Sequence, residues 1–120
     1  MNQFEGEVQV RWGESTEYLE SVSRTSKYTH EDFQAVKVDQ EAVTERFAGA
    51  FGNRVSPAST QVQDIVVAHR AVISKWFYEC SLPMQKNLAL MYISDPRFKK
   101  YYDDRARGLA QYVHDAIMAQ

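Results

Sequence analysis

The chain has 120 residues, of which 44% are hydrophobic and 25% charged, and its formal net charge is −2. This length suits one domain with a hydrophobic core, and the composition is typical of a globular rather than a disordered protein. A slightly negative chain without a cluster of Lys or Arg lacks the electrostatic signature of a nucleic-acid-binding surface. We therefore expect a single domain over residues 1–120 that makes no nucleic acid contact itself.

The sequence also predicts where the protein acts. No apolar run approaches the roughly 20 residues of a membrane span, and no signal-peptide pattern opens the chain. The single cysteine, Cys80, rules out an internal disulfide and is typical of a reducing compartment. We expect a cytoplasmic protein without membrane association.

Two weak helices are predicted at the start of the chain. Residues 2–11 form one, which ends at Trp12-Gly13, and residues 16–26 form a short, serine-rich second one. Ordering costs about 1–2 kcal/mol per residue, which so short and polar a helix cannot offset alone. The sequence therefore predicts that residues 1–51 are a mobile lid segment, least ordered before Thr29, and that residues 56–119 are the ordered helical core.

A stronger helix should follow the serine-rich one. Thr29 and Asp32 have the spacing of a capping box, and Gly52 is placed to end the helix. Within the loop at residues 52–60, Ser56-Pro57 resembles an N-cap followed by a first helical position. The apolar face of the predicted helix carries Phe33, Val36, Val43, Phe47 and Phe51.

The stretch from Val62 to Tyr92 is strongly apolar and organises the chain. Ser81 and Pro83 divide it into two helices, which should pack as a hairpin because they are joined so tightly. A pocket built on this hairpin would suit a bulky, partly aromatic ligand. The stripe of the first helix, at alternating spacings of four and three, is Val62, Val66, His69, Ile73, Trp76 and Cys80.

Two shorter helices complete the prediction. Asp95 precedes Pro96 and can cap a helix that carries several aromatic residues, and Gly108 precedes a last apolar helix. No strand pattern occurs. The sequence thus predicts an all-α fold, a compact domain of about six helices around the central hairpin.

The sequence offers no arrangement for catalysis. His69 and Cys80 are eleven residues apart, and a rise of 1.5 Å per residue would separate them by roughly 16 Å, too far for a dyad. No spacing suits zinc or a di-iron centre, and no glycine-rich phosphate loop occurs. We expect a non-enzymatic protein without metal or cofactor. One alternative stays open, in which His69 over an apolar pocket ligates a haem.

A series of spaced motifs resembles the TipAS-type antibiotic-recognition domain over about residues 5–119. The resemblance implies a globin-like helical fold that binds thiopeptides or other bulky, multi-ring antibiotics. Such domains sense the drug for a MerR-type transcription activator, or stand alone and sequester it. The motifs are Arg11-Trp12-Gly13, Thr16, Tyr18, Arg24-Thr25, Tyr28-Thr29, Asp32, Ala68-His69-Arg70, Tyr78-Glu79-Cys80, Met84, Leu88, Met91-Tyr92-Ile93-Ser94-Asp95, Arg97-Phe98, Gly108-Leu109-Ala110 and Asp115-Ala116-Ile117.

Two departures from the family pattern qualify what the resemblance implies. No winged helix-turn-helix and no long dimerisation helix precede the domain, so we expect either a free-standing binder or the effector part of a regulator. A MerR-type DNA-binding domain, fused or separate, would then be a partner. Asn87 stands where thiopeptide-binding members can carry a tethering cysteine, and Cys80 matches a different family cysteine. The resemblance therefore implies noncovalent binding.

The predicted ligand contacts are large aromatic residues, sulfur-containing residues and their neighbours on the hairpin. Several of them, notably Trp76, His69 and Cys80, have a second interpretation, as buried structural residues of the hydrophobic core. Two other functions stay open, a protein-interaction domain that relays a signal without a small-molecule ligand, and a haem or cofactor carrier. The predicted contacts are Trp12, Tyr18, Tyr28, Phe33, His69, Trp76, Cys80, Met84, Asn87, Met91 and Tyr92.

Overall fold

The computed structural model describes residues 16–120, and within this range it contains six α-helices and no strand. The helices are α1 (Thr16–Thr25), α2 (His30–Gly52), α3 (Thr60–Trp76), α4 (Leu82–Ser94), α5 (Pro96–Asp103) and α6 (Leu109–Met118). The predicted all-α fold of about six helices is confirmed. The weak helix predicted at residues 2–11 lies outside the described residues.

Polar side chains at the helix N-termini set several of the predicted boundaries. The Asp32 backbone N–H donates to Thr29 Oγ1 at 3.1 Å, and the Thr29 N–H donates to the Asp32 carboxylate at 2.9 Å, which is the predicted capping box. Ser81 caps α4 and Asp95 caps α5, each by accepting from a backbone N–H of the first turn. These bonds satisfy donors that a helix start otherwise leaves unpaired.

The connection between α2 and α3 differs from its prediction. Residues 56–57 lie in the loop, and α3 begins later, where Ser59 Oγ accepts from the Val62 N–H at 3.2 Å. Gly52 is the last residue of α2, as predicted. The left-handed backbone that follows belongs to Arg54, at φ 57°, rather than to the glycine.

The main hydrophobic core lies where α2, α3, α4 and α6 meet. Its fully buried side chains include Phe47 of α2, Val66 of α3, and Leu109 and Ile117 of α6. Burying each such side chain stabilises the fold by about 1.5–3 kcal/mol relative to exposure. Helix α2 thus contributes side chains to the core together with the segment of residues 56–119, and the division into a mobile lid and an ordered core stays a prediction.

Helices α3 and α4 do not form the close antiparallel hairpin that the sequence predicted. α4 packs mainly against α6, and α3 packs mainly against α2. The two arms meet through side chains, above all Gln85, whose amide donates to the Val66 carbonyl at 2.9 Å and to His69 Nδ1 at 2.8 Å. This looser meeting leaves room for a cavity.

Helix α1 is attached to the end of α3 by polar contacts. It has no buried residue. Arg24 Nη1 donates to the Ser74 carbonyl at 2.7 Å, and the Glu79 N–H donates to Glu20 Oε1 at 3.3 Å. Arg24 thus satisfies a carbonyl of the last turn of α3, where positive charge is favoured.

Among residues 16–120, no helix combines the length and the apolar character needed to cross a membrane.

Candidate functional site

A cavity of about 390 Å³ lies between α2, α3, α4 and α5. Small-molecule sites typically enclose about 300–1,000 Å³, so the cavity is large enough for one ligand group. Its walls combine aromatic and aliphatic side chains with a few polar groups. They are Gln40, Val43 and Thr44 of α2, His69, Val72 and Ile73 of α3, Tyr92 of α4, and Arg97, Phe98, Tyr101 and Tyr102 of α5.

His69 lies at the buried end of a polar network that borders the cavity. Because the Gln85 amide donates to Nδ1, the ring carries its proton on Nε2, which donates to the Tyr92 hydroxyl at 3.0 Å. Burial, with a smaller contribution from the Arg70 charge, lowers the pKa of His69 to about 4. The imidazole is therefore neutral at pH 7. With both nitrogens engaged, it does not offer the free ligand that a haem iron needs.

The aromatic wall of the cavity is built by α4 and α5. The Tyr92 ring lies 5.0 Å from the Tyr102 ring and 5.8 Å from the Phe98 ring, and Tyr101 packs edge-on against Tyr102 at 5.0 Å. These are the tilted arrangements that aromatic pairs prefer. Burial raises the pKa of both Tyr92 and Tyr102, so the two phenols remain protonated and uncharged.

On one side of the cavity, a hydrogen bond and an ion pair join α2 to α5 and the residues that follow it. Thr44 Oγ1 donates to the Gln40 carbonyl at 3.0 Å and therefore accepts from the Tyr101 hydroxyl at 3.2 Å. An ion pair joins Glu45 to Arg105. Tyr101 is 44% exposed, so this side is the rim of the cavity rather than its floor.

Of the predicted contacts, His69 and Tyr92 line this cavity. The contributions of α2 and α5 were not predicted, because these helices lie more than 40 residues apart in the chain and share no motif. The signal that could have found them is the aromatic density of α5, where Phe98, Tyr101 and Tyr102 fall within five residues.

Three other predicted contacts form a separate aromatic cluster at the end of α3. The Tyr28 ring packs edge-on against Phe33 and against Trp76, each at 5.7 Å, and its hydroxyl donates to the Trp76 carbonyl. Trp76 Nε1 donates to Asp39 at 2.8 Å, and this bond, helped by Lys75, lowers the pKa of the Asp39 carboxyl. None of the three aromatic residues is among those that line the cavity.

Cys80 and Met84 pack in a small hydrophobic cluster with Tyr78 and Ile73. The sequence predicted that Cys80 continues the α3 stripe. Helix α3 instead ends at Trp76, so Cys80 lies in the linker between α3 and α4. Burial raises the pKa of its thiol to about 11, which keeps the sulfur protonated and unreactive at neutral pH.

The remaining predicted contacts lie elsewhere. Asn87 is exposed on α4, Met91 is half-buried on the same helix, and Tyr18 is half-buried on α1. None of them lines the cavity. Trp12 lies outside the described residues.

The sequence patterns of a known family match almost the whole chain. The family model of the TipAS antibiotic-recognition domain matches residues 4–120. The chain belongs to this family. A solved structure of Streptomyces lividans TipAS in complex with nosiheptide, from a thiopeptide antibiotic multidrug resistance system, has a TM-score of 0.88 to this TipAS domain. At 36% identity the match covers 98% of this chain and 82% of that one, and it confirms the predicted globin-like fold.

Longer proteins carry similar sequences. The HTH-type transcriptional activators TipA of Streptomyces coelicolor and Streptomyces lividans are each 36% identical to this TipAS domain over 118 residues, which is 98% of the chain and 47% of the relative. The HTH-type transcriptional activator mta of Bacillus subtilis is 28% identical over 99 residues, 82% of the chain and 38% of the relative. The chain thus spans about half or less of the length of these activators.

Proposed function

We propose that this domain binds bulky, multi-ring hydrophobic antibiotics of the thiopeptide kind, with one part of the ligand inside the cavity. The observation that carries the proposal is an aromatic cavity of about 390 Å³ within a fold whose solved relative holds nosiheptide. The cavity lies near the small end of the usual range for ligand sites, so a multi-ring ligand would also contact the surface around it.

The other predicted contacts remain part of this proposal. The cluster of Tyr28, Phe33 and Trp76 supplies aromatic surface next to α1, and Tyr18 and Trp12 belong to the segment that we expect to close over the ligand. In the same way, Cys80, Met84, Asn87 and Met91 stay proposed contacts of the larger ligand surface.

Binding is proposed to be noncovalent and without catalysis. The Cys80 thiol is buried and protonated, Asn87 has no nucleophilic sulfur, and His69 is a neutral, hydrogen-bonded ring. Because the activators are about twice as long as this chain, we propose two settings, a sensor for a MerR-type DNA-binding domain or a stand-alone protein that sequesters the drug. The single cysteine supports a cytoplasmic setting.

Calorimetric titration with nosiheptide tests the proposal. Val72→Trp, which adds bulk inside the cavity, should weaken binding at least about tenfold, a loss of about 1.4 kcal/mol. Val67→Trp is the matched control, since Val67 is 52% exposed on the same helix and does not line the cavity. We expect wild-type affinity from the control, and a negative heat-capacity change on binding to the wild type.

Two results would reject the proposal. One is the absence of binding to nosiheptide and to a panel of other thiopeptides and albicidin-like compounds. The other is equal affinity of the Val72→Trp and wild-type proteins, which would place the ligand outside the cavity. In a separate titration followed by absorbance, haem should show no shift of its Soret band, because His69 has no free nitrogen.

A further inference from the structure

We propose that the cavity recognises an uncharged, planar aromatic group that bears a carboxamide-like substituent, that it excludes the cationic analogue of that group, and that Gln40 sets this preference. The inference rests on the proposed function, since the group would be the part of the antibiotic that enters the cavity.

Among the described residues, the cavity lining holds no counter-charge for a cation. None of these lining residues is a carboxylate, and Arg97 is the one permanently charged side chain among them. The Asp95 carboxylate beside it is buried and accepts from the Arg97 backbone N–H at 2.9 Å, from Nε at 3.3 Å and from Nη2 at 3.1 Å. A cationic ligand would therefore lose hydration without gaining a counter-charge, which disfavours the charged form.

The neighbouring carboxylates of α2 do not change this balance. Asp39 and Glu41 flank Gln40 in the sequence but do not line the cavity. Asp39 already accepts from Lys75 at 3.0 Å, and Glu45, one turn further along, pairs with Arg105. The uncharged imidazole of His69 and the uncharged phenols of Tyr92 and Tyr102 add no negative charge to the lining.

The aromatic wall favours a flat ligand group. The rings of Tyr92, Phe98, Tyr101 and Tyr102 pack in neighbouring pairs with centroid distances of 5.0 to 5.8 Å. Val43 of α2 and Val72 of α3 also line the cavity. Aromatic rings add stabilisation to such walls through offset and edge-on contacts beyond the area that they bury. A bicyclic ring system fits a volume of about 390 Å³.

Gln40 supplies the polar group that can hydrogen-bond to a substituent of the ligand. It lines the cavity from an exposed position of α2, and its side-chain amide makes no hydrogen bond to another described residue. Its backbone carbonyl accepts from Thr44, which is an ordinary contact within the helix. A free primary amide presents a donor and an acceptor side by side, and a carboxamide matches both at once.

Two probes of the same shape test the preference. Naphthalene-2-carboxamide and 2-naphthylmethylammonium are titrated at pH 7.5 and followed by chemical-shift changes in the ¹⁵N-labelled protein. We expect the wild type to bind the carboxamide about tenfold more tightly. Gln40→Glu keeps the side-chain shape but adds a carboxylate, so the ratio should fall to about one or reverse. As an exposed helical position, residue 40 should tolerate this substitution, and circular dichroism checks the fold.

A second variant and a third probe distinguish hydrogen bonding by the Gln40 amide from burial of the aromatic ring. Gln40→Leu should weaken the carboxamide about threefold or more and leave 2-methylnaphthalene unchanged. Val72→Trp should weaken all the probes, which would locate them in the cavity.

The inference is overturned if the wild type binds the carboxamide and the ammonium probe with equal affinity. It is also overturned if Gln40→Glu leaves the ratio of these two affinities unchanged, or if no probe binds. Its failure is distinct from failure of the proposed function. If the wild type binds nosiheptide but binds the carboxamide and ammonium probes with equal affinity, only the charge and amide preference is rejected. Clear charge selection by the probes without any thiopeptide binding would remove only the antibiotic proposal.

Discussion

Acidification should destabilise the fold through one buried side chain, His69. The ring is 7% exposed, and burial together with the Arg70 charge lowers its pKa from 6.5 to about 4. The unfolded chain takes up the proton near pH 6.5, whereas the folded protein does so only near pH 4. Between these values the unfolded state binds more protons. The free energy of unfolding is therefore largest above pH 6.5 and falls as the pH is lowered towards 4.

The size of the effect follows from the two pKa values. Their separation of about 2.5 pH units corresponds to about 3 kcal/mol of stability. This is a large share of the 5–15 kcal/mol that typically holds a domain folded. The lowered pKa of Asp39 acts in the same direction, but its contribution is lost below its usual 3.8 and so at lower pH.

Urea unfolding measured from pH 8 to pH 4 tests this prediction. His69→Gln should be less stable than the wild type at pH 7, because an amide cannot bridge Gln85 and Tyr92 as the ring does. The same variant should lose much less stability between pH 6.5 and pH 4. His30→Gln, which removes an exposed imidazole from α2, is the control and should keep the wild-type pH dependence. An equally steep loss in His69→Gln and the wild type would refute the reasoning.

Three further predictions concern other parts of the chain. Gly108→Ala should lower the free energy of unfolding by about 1–3 kcal/mol, because Gly108 has φ 94° and a Cβ there would meet Phe51 Cζ at 3.3 Å. The control is Gly49→Ala within α2, whose Cβ would meet nothing within 4 Å and which should not destabilise the protein. Cys80 should react with maleimide far more slowly in the native protein than in urea, and native labelling at the rate of a free thiol would contradict its burial. Arg24→Gln should speed amide hydrogen exchange in α1 but not in α6. Strong protection of residues 16–26 in the ligand-free wild type would contradict the lid hypothesis.

The sequence was most informative where structure depends on neighbouring residues. The capping box of Thr29 and Asp32 and the caps at Ser81 and Asp95 are local hydrogen-bonding patterns, so the starts of their helices could be read directly. The hairpin prediction was wrong because the choice of packing partner is not local. The apolar surface of α4 is covered mainly by α6, whose Leu109 and Ile117 are fully buried.

The same limit applied to the candidate site. The α3 stripe identified His69, and the second arm identified Tyr92. The α2 and α5 walls could not be found from spacing, because the two helices come together only in the folded chain. For Trp76, a helical stripe did not distinguish a core residue from one that packs against Tyr28 and donates to Asp39. That distinction depends on residues 37 and 48 positions away.

The position of Trp76 relates the cavity to the proposed lid. His69, Ile73 and Trp76 follow one another on a single stripe of α3, so the cavity and the aromatic cluster are consecutive along one helix face. At 1.5 Å per residue, His69 and Trp76 lie roughly 10 Å apart along the helix axis. A multi-ring ligand that fills the cavity can therefore extend towards Tyr28. There it would meet α1, which has no buried residue and is tied to α3 by polar contacts at its surface. Such contacts contribute little each, so we expect α1 to be displaced and repositioned on a ligand at small cost to the core, as the lid hypothesis requires.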